Sequence, residues 1–314
     1  MADKSYKFYI GIDVSKLKLD ILVSNGASLF QVANNDKGLK DALKMLPSGK
    51  NSLVILEASG GYEQFAANYL RRKKFNVAVV NAKRVRDFAK ASGKLAKTDS
   101  IDASVIMAFG KAFNPAPQPL PTAEEESRQA HLNRRSQLVK MIATEKQHIE
   151  KSPKSLHRYI ERHIEYMEKE LSIIERSLKE QIKQDECLKN KVEKLDQIKG
   201  VGEVTAMNIL LNMPELGQLT PKEVAALAGV APFNKDSGQM KGKRQIWGGR
   251  APVRAALYMA VLTARKFNPW IKKFYDRLIL KGKLNKVAMV ACMRKLIVMM
   301  NAMMRDNAAW QPNN

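Results

Sequence analysis

Through the first hundred residues the apolar positions come in short runs whose period alternates between two and three to four. Tyr6–Val14 (YKFYIGIDV) and Leu17–Ser24 (LKLDILVS) read as consecutive strands, and the Asn25-Gly26 turn leads to a third over Ala27–Val32. Asp36–Leu46 has a helical pattern, Leu53–Leu56 is a short, wholly apolar strand, and Tyr62–Lys73 is a helix ending in Arg71-Arg72-Lys73-Lys74. Phe75–Val80 (FNVAVV) is another buried strand, followed by helical patterns from Lys83 and from Ser100. Three strands in a row, then helix, strand, helix, strand, helix, is the order of a mixed sheet rather than of a repeating βα array. Asn114–Pro121 (NPAPQPLP) cannot continue a helix and reads as the linker that closes the domain.

The middle of the chain is helical. Ile160, Ile164, Met167, Leu171, Ile174 and Leu178 step by 4, 3, 4, 3, 4, the spacing of a coiled-coil seam, with Glu and Lys on the flanks. A preceding helix over Thr122–His148 is broken near Pro153, so the two form an antiparallel hairpin. The seam is either an internal contact or a dimer interface; spacing alone does not choose. Beyond Leu195, Ile198-Lys199-Gly200-Val201-Gly202 and a helix from Glu203 resemble the turn of a helix–hairpin–helix element. There Gly200 and Gly202 would let the backbone approach a phosphate; the alternative is an ordinary turn between packed helices. Glu223–Val230, Val253–Ala264 and Val287–Met304 are helices rich in Ala and Met, read as core. The expected architecture is α/β plus all-α: a ribonuclease H-like domain over 1–115, a helical coiled-coil spacer over 116–195, and a helical C-terminal domain over 196–314.

Charge sharpens this picture. The 314 residues carry 54 Lys+Arg against 31 Asp+Glu, a formal net charge of +23. Residues 1–115 hold 19 basic and 10 acidic side chains, residues 116–230 hold 18 of each, and residues 231–314 hold 17 basic and 3 acidic. The excess sits at the two ends, as two nucleic-acid-facing modules joined by a neutral spacer would place it. The longest apolar runs fall well short of the ~20 residues of a membrane span. Nothing at the N-terminus reads as a secretory signal, and Cys187 and Cys292 are too few for a disulfide framework or a cysteine zinc site. The expected setting is a bacterial cytoplasm, at the nucleoid, with no membrane partner.

Four acids stand out by position. Asp13 interrupts an apolar strand and Glu57 ends one, and a buried carboxylate costs several kcal/mol unless it is paired or bound to metal. Asp99 and Asp102 open a helix in Lys97-Thr98-Asp99-Ser100-Ile101-Asp102, three apart and on one side of its first turn. Singly, each has a plainer reading: helix capping for Asp99 and Asp102, pairing with Lys16 or Lys18 for Asp13, pairing with a nearby cation for Glu57. Together they form an oxygen-only ligand set suited to Mg²⁺ or Mn²⁺, and two such ions ~4 Å apart serve phosphoryl transfer. A second constellation lies at Asp236-Ser237-Gly238, inside the cationic run to Gly249-Arg250. By composition it is a flexible loop. All four histidines (His131, His148, His157, His163) fall elsewhere, which speaks against a Ser–His–Asp hydrolase and leaves metal or neighbouring cations to activate Ser237.

These motifs resemble those of the insertion-sequence-110 family of transposases and recombinases. Ile10-Gly11-Ile12-Asp13-Val14, Glu57-Ala58-Ser59-Gly60 and Lys97 through Ala103 are similar to its DEDD signature. Ile198–Gly202, Ala225–Gly229, the run from Ser237 to Arg250 and Val253–Met259 are similar to its C-terminal transposase domain. The resemblance implies a RuvC-like N-terminal domain whose Asp13, Glu57, Asp99 and Asp102 bind Mg²⁺. It further implies that Ser237 attacks a DNA phosphodiester to give a phosphoserine intermediate. Donor and target double-stranded DNA, a structured bridge RNA and a homo-oligomer, dimer or tetramer, are implied as partners. Lys241, Lys243, Arg244 and Arg250 are then expected to hold phosphates, and Trp247 either stacks on a base or anchors packing. Rival readings are a metal-dependent structure-specific nuclease, a DNA invertase, and a non-catalytic nucleic-acid-binding protein.

Overall fold

The architecture comes from a computed structural model that describes residues 6–26, 29–93, 99–234, 236–237, 240–242 and 244–310. For 99–101, 236–237 and 240–241 only the backbone is described. The chain divides into two compact units, Met1–Thr122 and Ala123–Asn314.

The first unit is built on β1 (Phe8–Val14), β2 (Lys18–Val23), β3 (Phe30–Ala33), α1 (Asp36–Met45), β4 (Ser52–Glu57), α2 (Tyr62–Arg72), β5 (Asn76–Val80), α3 (Ala82–Ala91) and α4 (Asp99–Phe113). The strands form one sheet in the order β3-β2-β1-β4-β5, antiparallel through β1–β3 and parallel through β1, β4 and β5. This is compatible with the ribonuclease H-like layout read from the sequence. The third strand begins at Phe30; Ala27 and Ser28 of the expected Ala27–Val32 lie outside the described residues.

Period-two alternation splits the strand side chains between two cores. Ile10, Ile12, Leu19, Ile21, Val54, Leu56 and Val77 pack under Leu39 and Ala42 of α1 and Ala66, Ala67 and Leu70 of α2. Leu53, Ile55, Ala78 and Val80 face the other way, under Val85 of α3 and Val105, Ile106 and Phe109 of α4. Each fully buried Ile or Leu contributes roughly 1.5–3 kcal/mol. Asn35 caps α1 by accepting the Gly38 N–H at 2.9 Å, and Asn81 caps α3 by accepting the Lys83 N–H at 2.8 Å.

The second unit opens with α5 (Ala123–Lys151) and α6 (Lys154–Lys183), followed by α7 (Glu186–Asp196), α8 (Glu203–Asn212) and α9 (Pro221–Leu227). Arg135 pairs with Glu175 and Lys146 with Glu168, each at 2.8 Å, so α5 and α6 run antiparallel on either side of Pro153. The seam is filled from within the chain: Ile164 and Met167 pack against Leu138 and Ile142, with Ile160, Leu171 and Ile174 beside them. At its open end the hairpin contributes Leu132, Leu178 and Ile182 to a larger core shared with the later helices.

Beyond α9 come four two-residue strands, β6 (Pro232–Phe233), β7 (Asp236–Ser237), β8 (Met240–Lys241) and β9 (Gln245–Ile246). The chain then forms α10 (Ala251–Phe267), α11 (Pro269–Leu280) and α12 (Asn285–Arg305). By length and composition α12 could cross a membrane, yet half of its most apolar window is buried. Ala288, Cys292, Leu296, Ile297 and Met300 along it are wholly covered by the surrounding helices.

Candidate functional site

In the first unit two of the acids of the sequence reading, Asp13 and Glu57, lie at the ends of neighbouring strands of the sheet. The parallel β1–β4 ladder registers Ile12 with Leu56, so Asp13 and Glu57 are the next residues along neighbouring strands. Both alternate away from Ile12 and Leu56 and therefore belong to the face covered by α3 and α4. Helix α4 is brought down onto this face by Gly11. A Cβ there would lie 2.3 Å from the Ala103 carbonyl and 2.5 Å from the Met107 amide, so only glycine permits the approach. Asp102, one residue before Ala103, is held at the same end by that contact and is half-buried. Asp99 occupies the first position of α4; its side chain, like Lys97 and Thr98, lies outside the described residues.

Two further acids belong to this region. Asp20 is in register with Asp13 across β1–β2, on the same face, and only 4% exposed. It accepts a hydrogen bond from Gln31 Nε2 at 2.7 Å and has Lys18 Nζ at 3.8 Å. Its signal in the sequence is a charge inside Leu19-Asp20-Ile21-Leu22-Val23. Glu63, also 4% exposed, reaches back over the loop that follows Glu57. One oxygen accepts the Ser59 N–H and hydroxyl, both at 3.0 Å, and the Gly61 N–H at 2.8 Å. Burial pushes this carboxyl up, but hydrogen bonds from the Glu63, Gly61 and Ser59 amides and the Ser59 hydroxyl outweigh it and hold the group below its ordinary range. Glu63 thus fixes the turn Ala58–Gly61, whose Gly60 and Gly61 both have positive φ.

The donor set is all oxygen, the chemistry that hard divalent cations take. Among the described residues no three His, Cys, Asp or Glu side chains close on one point. What the structure places is a row of carboxylate positions, Asp20, Asp13 and Glu57, crossed by the first turns of α4.

In the second unit Ser237 sits on a β-arm. β6 pairs with β9 (Pro232 with Ile246, Phe233 with Gln245) and β7 with β8 (Asp236 with Lys241, Ser237 with Met240). Ser237 is therefore a paired strand position, where the sequence suggested a flexible loop. Gly238, Gln239, Lys235 and Lys243 lie outside the described residues, as do the side chains of Asp236, Ser237 and Lys241. Arg244 and Trp247 are exposed. The base of the arm is stitched to the helices: the Arg250 N–H donates to the Leu227 carbonyl at 2.8 Å, and Arg254 Nη1 donates to the Gly248 carbonyl at 2.6 Å. Gly249, at φ +70°, comes so close to Gly229 that an added Cβ would lie 2.2 Å from the Gly229 amide.

Arg250 occupies its fork at this base. It donates to both Glu215 oxygens at 2.7 and 2.6 Å and to the Asn212 carbonyl at 2.8 Å. The Arg250 hydrogen bond holds the Glu215 carboxyl below its ordinary range against a partial burial that raises it. Gly200, at φ +101°, is pressed against α10, where a Cβ would meet Ala264 at 2.6 Å; Gly202 precedes α8 with open space around it. The four histidines lie on α5 and α6, away from the arm in sequence.

Two family models match in the order of these elements. A transposase model of the DEDD IS110 type matches residues 10–157, and the transposase IS116/IS110/IS902 family model matches residues 192–276. The chain belongs to the IS110 family of transposases. A pilin gene-inverting protein of Moraxella bovis is 27% identical over 312 residues, covering 96% of this chain and 97% of that protein. Its counterpart in Moraxella lacunata matches to the same extent. An insertion element IS110 protein of 43.6 kDa from Streptomyces coelicolor is 28% identical over 119 residues, 37% of this chain and 29% of the relative.

Proposed function

We propose that this IS110-family chain is a DNA recombinase that cuts and rejoins double-stranded DNA through a phosphoserine intermediate. The observation that carries the reading is the presence, in one chain, of a row of carboxylate positions at the end of a mixed sheet and of a serine on a stitched β-arm. Asp13, Glu57, Asp99 and Asp102 are the residues that would hold Mg²⁺ or Mn²⁺. Such an ion, when bound, neutralises phosphate charge and favours the ionised form of an attacking hydroxyl. Ser237 Oγ attacks phosphorus, forming a Ser–O–P bond as the bond to one sugar oxygen breaks, and that oxygen takes up the proton. A sugar hydroxyl of the partner strand then attacks the phosphoserine, the serine regains its proton, and no phosphodiester is lost to water.

Lys241, Lys243 and Arg244 would contact phosphates near the arm. In this reading a bridge RNA selects donor and target by base pairing while the protein reads backbone, and the enzyme works as a dimer or tetramer at the nucleoid. The full-length similarity to two pilin gene-inverting proteins favours a second reading with the same chemistry: inversion of a segment within one replicon. Purified protein with its co-purifying RNA, a two-site plasmid and Mg²⁺ test both. Inverted or exchanged plasmid is expected from the wild type and from neither Ser237→Ala nor Asp13→Asn. Hydrolytic nicking that survives Ser237→Ala would replace the proposal with a nuclease.

A further inference from the structure

We propose that a cationic groove beside the carboxylate row, walled by α3, holds the phosphodiester backbone of the DNA presented to that row. The inference rests on the recombinase reading for its substrate but on separate residues. Helix α3 is two-faced. Val85 is buried and Phe88 and Ala89 pack with it, while the Arg84 guanidinium lies over the Phe109 and Phe113 rings at 5.5 and 5.8 Å. Opposite, Lys83, Arg86, Asp87 and Lys90 line an open groove of about 430 Å³, completed by Ala58, Asn81 and Ala82.

Three of its four charged groups are cations. Asp87 lies 3.6 Å from Lys83, and among the described residues no ion pair engages Arg86 or Lys90. The groove also adjoins the acids by construction. Glu57 is in register with Val80, and the next residue, Ala58, donates its N–H to the Val80 carbonyl at 2.9 Å; Asn81 and Ala82 then begin α3. One groove wall is therefore the residue after Glu57.

The spacing suits a polyanion. From Lys83 to Lys90 the helix advances ~10 Å, about three nucleotide rises of a duplex strand. Among the described residues no aromatic ring lines the groove, so nothing in it offers a base a stacking platform, and its cations are matched to phosphate charge. A merely solvated helix face would carry the same cations, and salt dependence separates the two readings.

The test compares wild type with Arg86→Gln/Lys90→Gln in the full chain. Affinity for a 30-base-pair DNA is measured by fluorescence anisotropy from 50 to 200 mM salt, with EDTA so that nothing is cut. Each lost phosphate contact lowers the slope of log K against log salt by about 0.9, so the double variant should lose nearly 2, and Lys90→Gln alone about half that. Lys37→Gln/Lys40→Gln on α1, with the same change in net charge, should keep the wild-type slope. An unchanged slope in the groove variant with an unchanged melting temperature overturns the proposal, as does a loss seen with duplex RNA and not with DNA. A protein that shows the groove slope yet never rejoins DNA in Mg²⁺ would support the groove and sink the recombinase reading.

Discussion

Asp20 stands in register with Asp13 across the antiparallel β1–β2 ladder, and both belong to the face on which α4 rests. Two carboxylates directly opposite one another repel, so each needs a compensating partner. For Asp20 that partner set includes Gln31 and Lys18. Replacing Asp20 with Ala removes this hydrogen bond, but Gln31 is exposed and its amide can turn to water, so the cost in urea unfolding should be about 1 kcal/mol. Asp20→Asn, which keeps an acceptor oxygen, should cost clearly less.

Glu63 gives a pH-dependent prediction. Its carboxyl is lowered in the folded state, so its ionised form stabilises the fold at pH values above the ordinary Glu range, and this contribution disappears as pH falls through the lowered value. At pH 7 Glu63→Gln should be less stable than wild type by about 2 kcal/mol, because hydrogen bonds to a charged acceptor become neutral ones. Acidification below about pH 4 should shrink the gap. A gap that stays constant from pH 7 to pH 3 would show that the carboxylate charge does not hold the Ala58–Gly61 turn.

Gly11 tests how α4 is placed. Ala at this position must push α4 off β1 and should destabilise the first unit by about 1–3 kcal/mol. Recombination should fall far more than stability does, since Asp102 moves with the helix. A stable Gly11→Ala protein with full activity would mean that the placement of α4 on β1 is immaterial to the chemistry.

Arg250 separates positioning from phosphate binding. Its pair with Glu215 is about a third exposed on both sides, so its worth in global stability is about 1 kcal/mol or less. Arg250→Gln should therefore barely change the melting temperature, yet should make the segment 232–249 a preferred site of limited proteolysis. Because its fork is occupied by Glu215 and Asn212, the salt dependence of DNA binding should stay at the wild-type slope.

What the sequence made legible follows from the range of the forces involved. The strands of the first unit were readable because alternation at Tyr6–Val14 and the apolar run at Leu53–Leu56 are local signals. Asp13 and Glu57 were readable because a charge stands out against such a run. Asp20 gives the same signal inside Leu19–Val23, but Lys18 two positions earlier offers it a plain surface pairing; its register with Asp13 and its burial come only with the fold.

Glu63 reads as an ordinary first-turn acid until the chain folds the Ser59–Gly61 amides onto it. Helix α11 was hidden by Asn268-Pro269, which looks like a break but is a cap followed by a first-turn proline: Asn268 Oδ1 accepts the Trp270 and Ile271 amides. The β-arm was read as a loop because two-residue ladders have no period. Its base is held by long-range contacts that no local pattern shows, among them that of Gly229 with Gly249, twenty positions apart.

The covalent step is the centre of the account, and trapping it tests the account most directly. Wild-type protein is incubated with Mg²⁺ and a DNA site nicked so that the cleaved end diffuses away, then denatured, digested and sequenced by mass spectrometry. A nucleotide-bearing peptide carrying its phosphate on Ser237, absent from Ser237→Ala and Asp13→Asn, is the expected result. Cleaved DNA with free ends and an unmodified Ser237 peptide would contradict it.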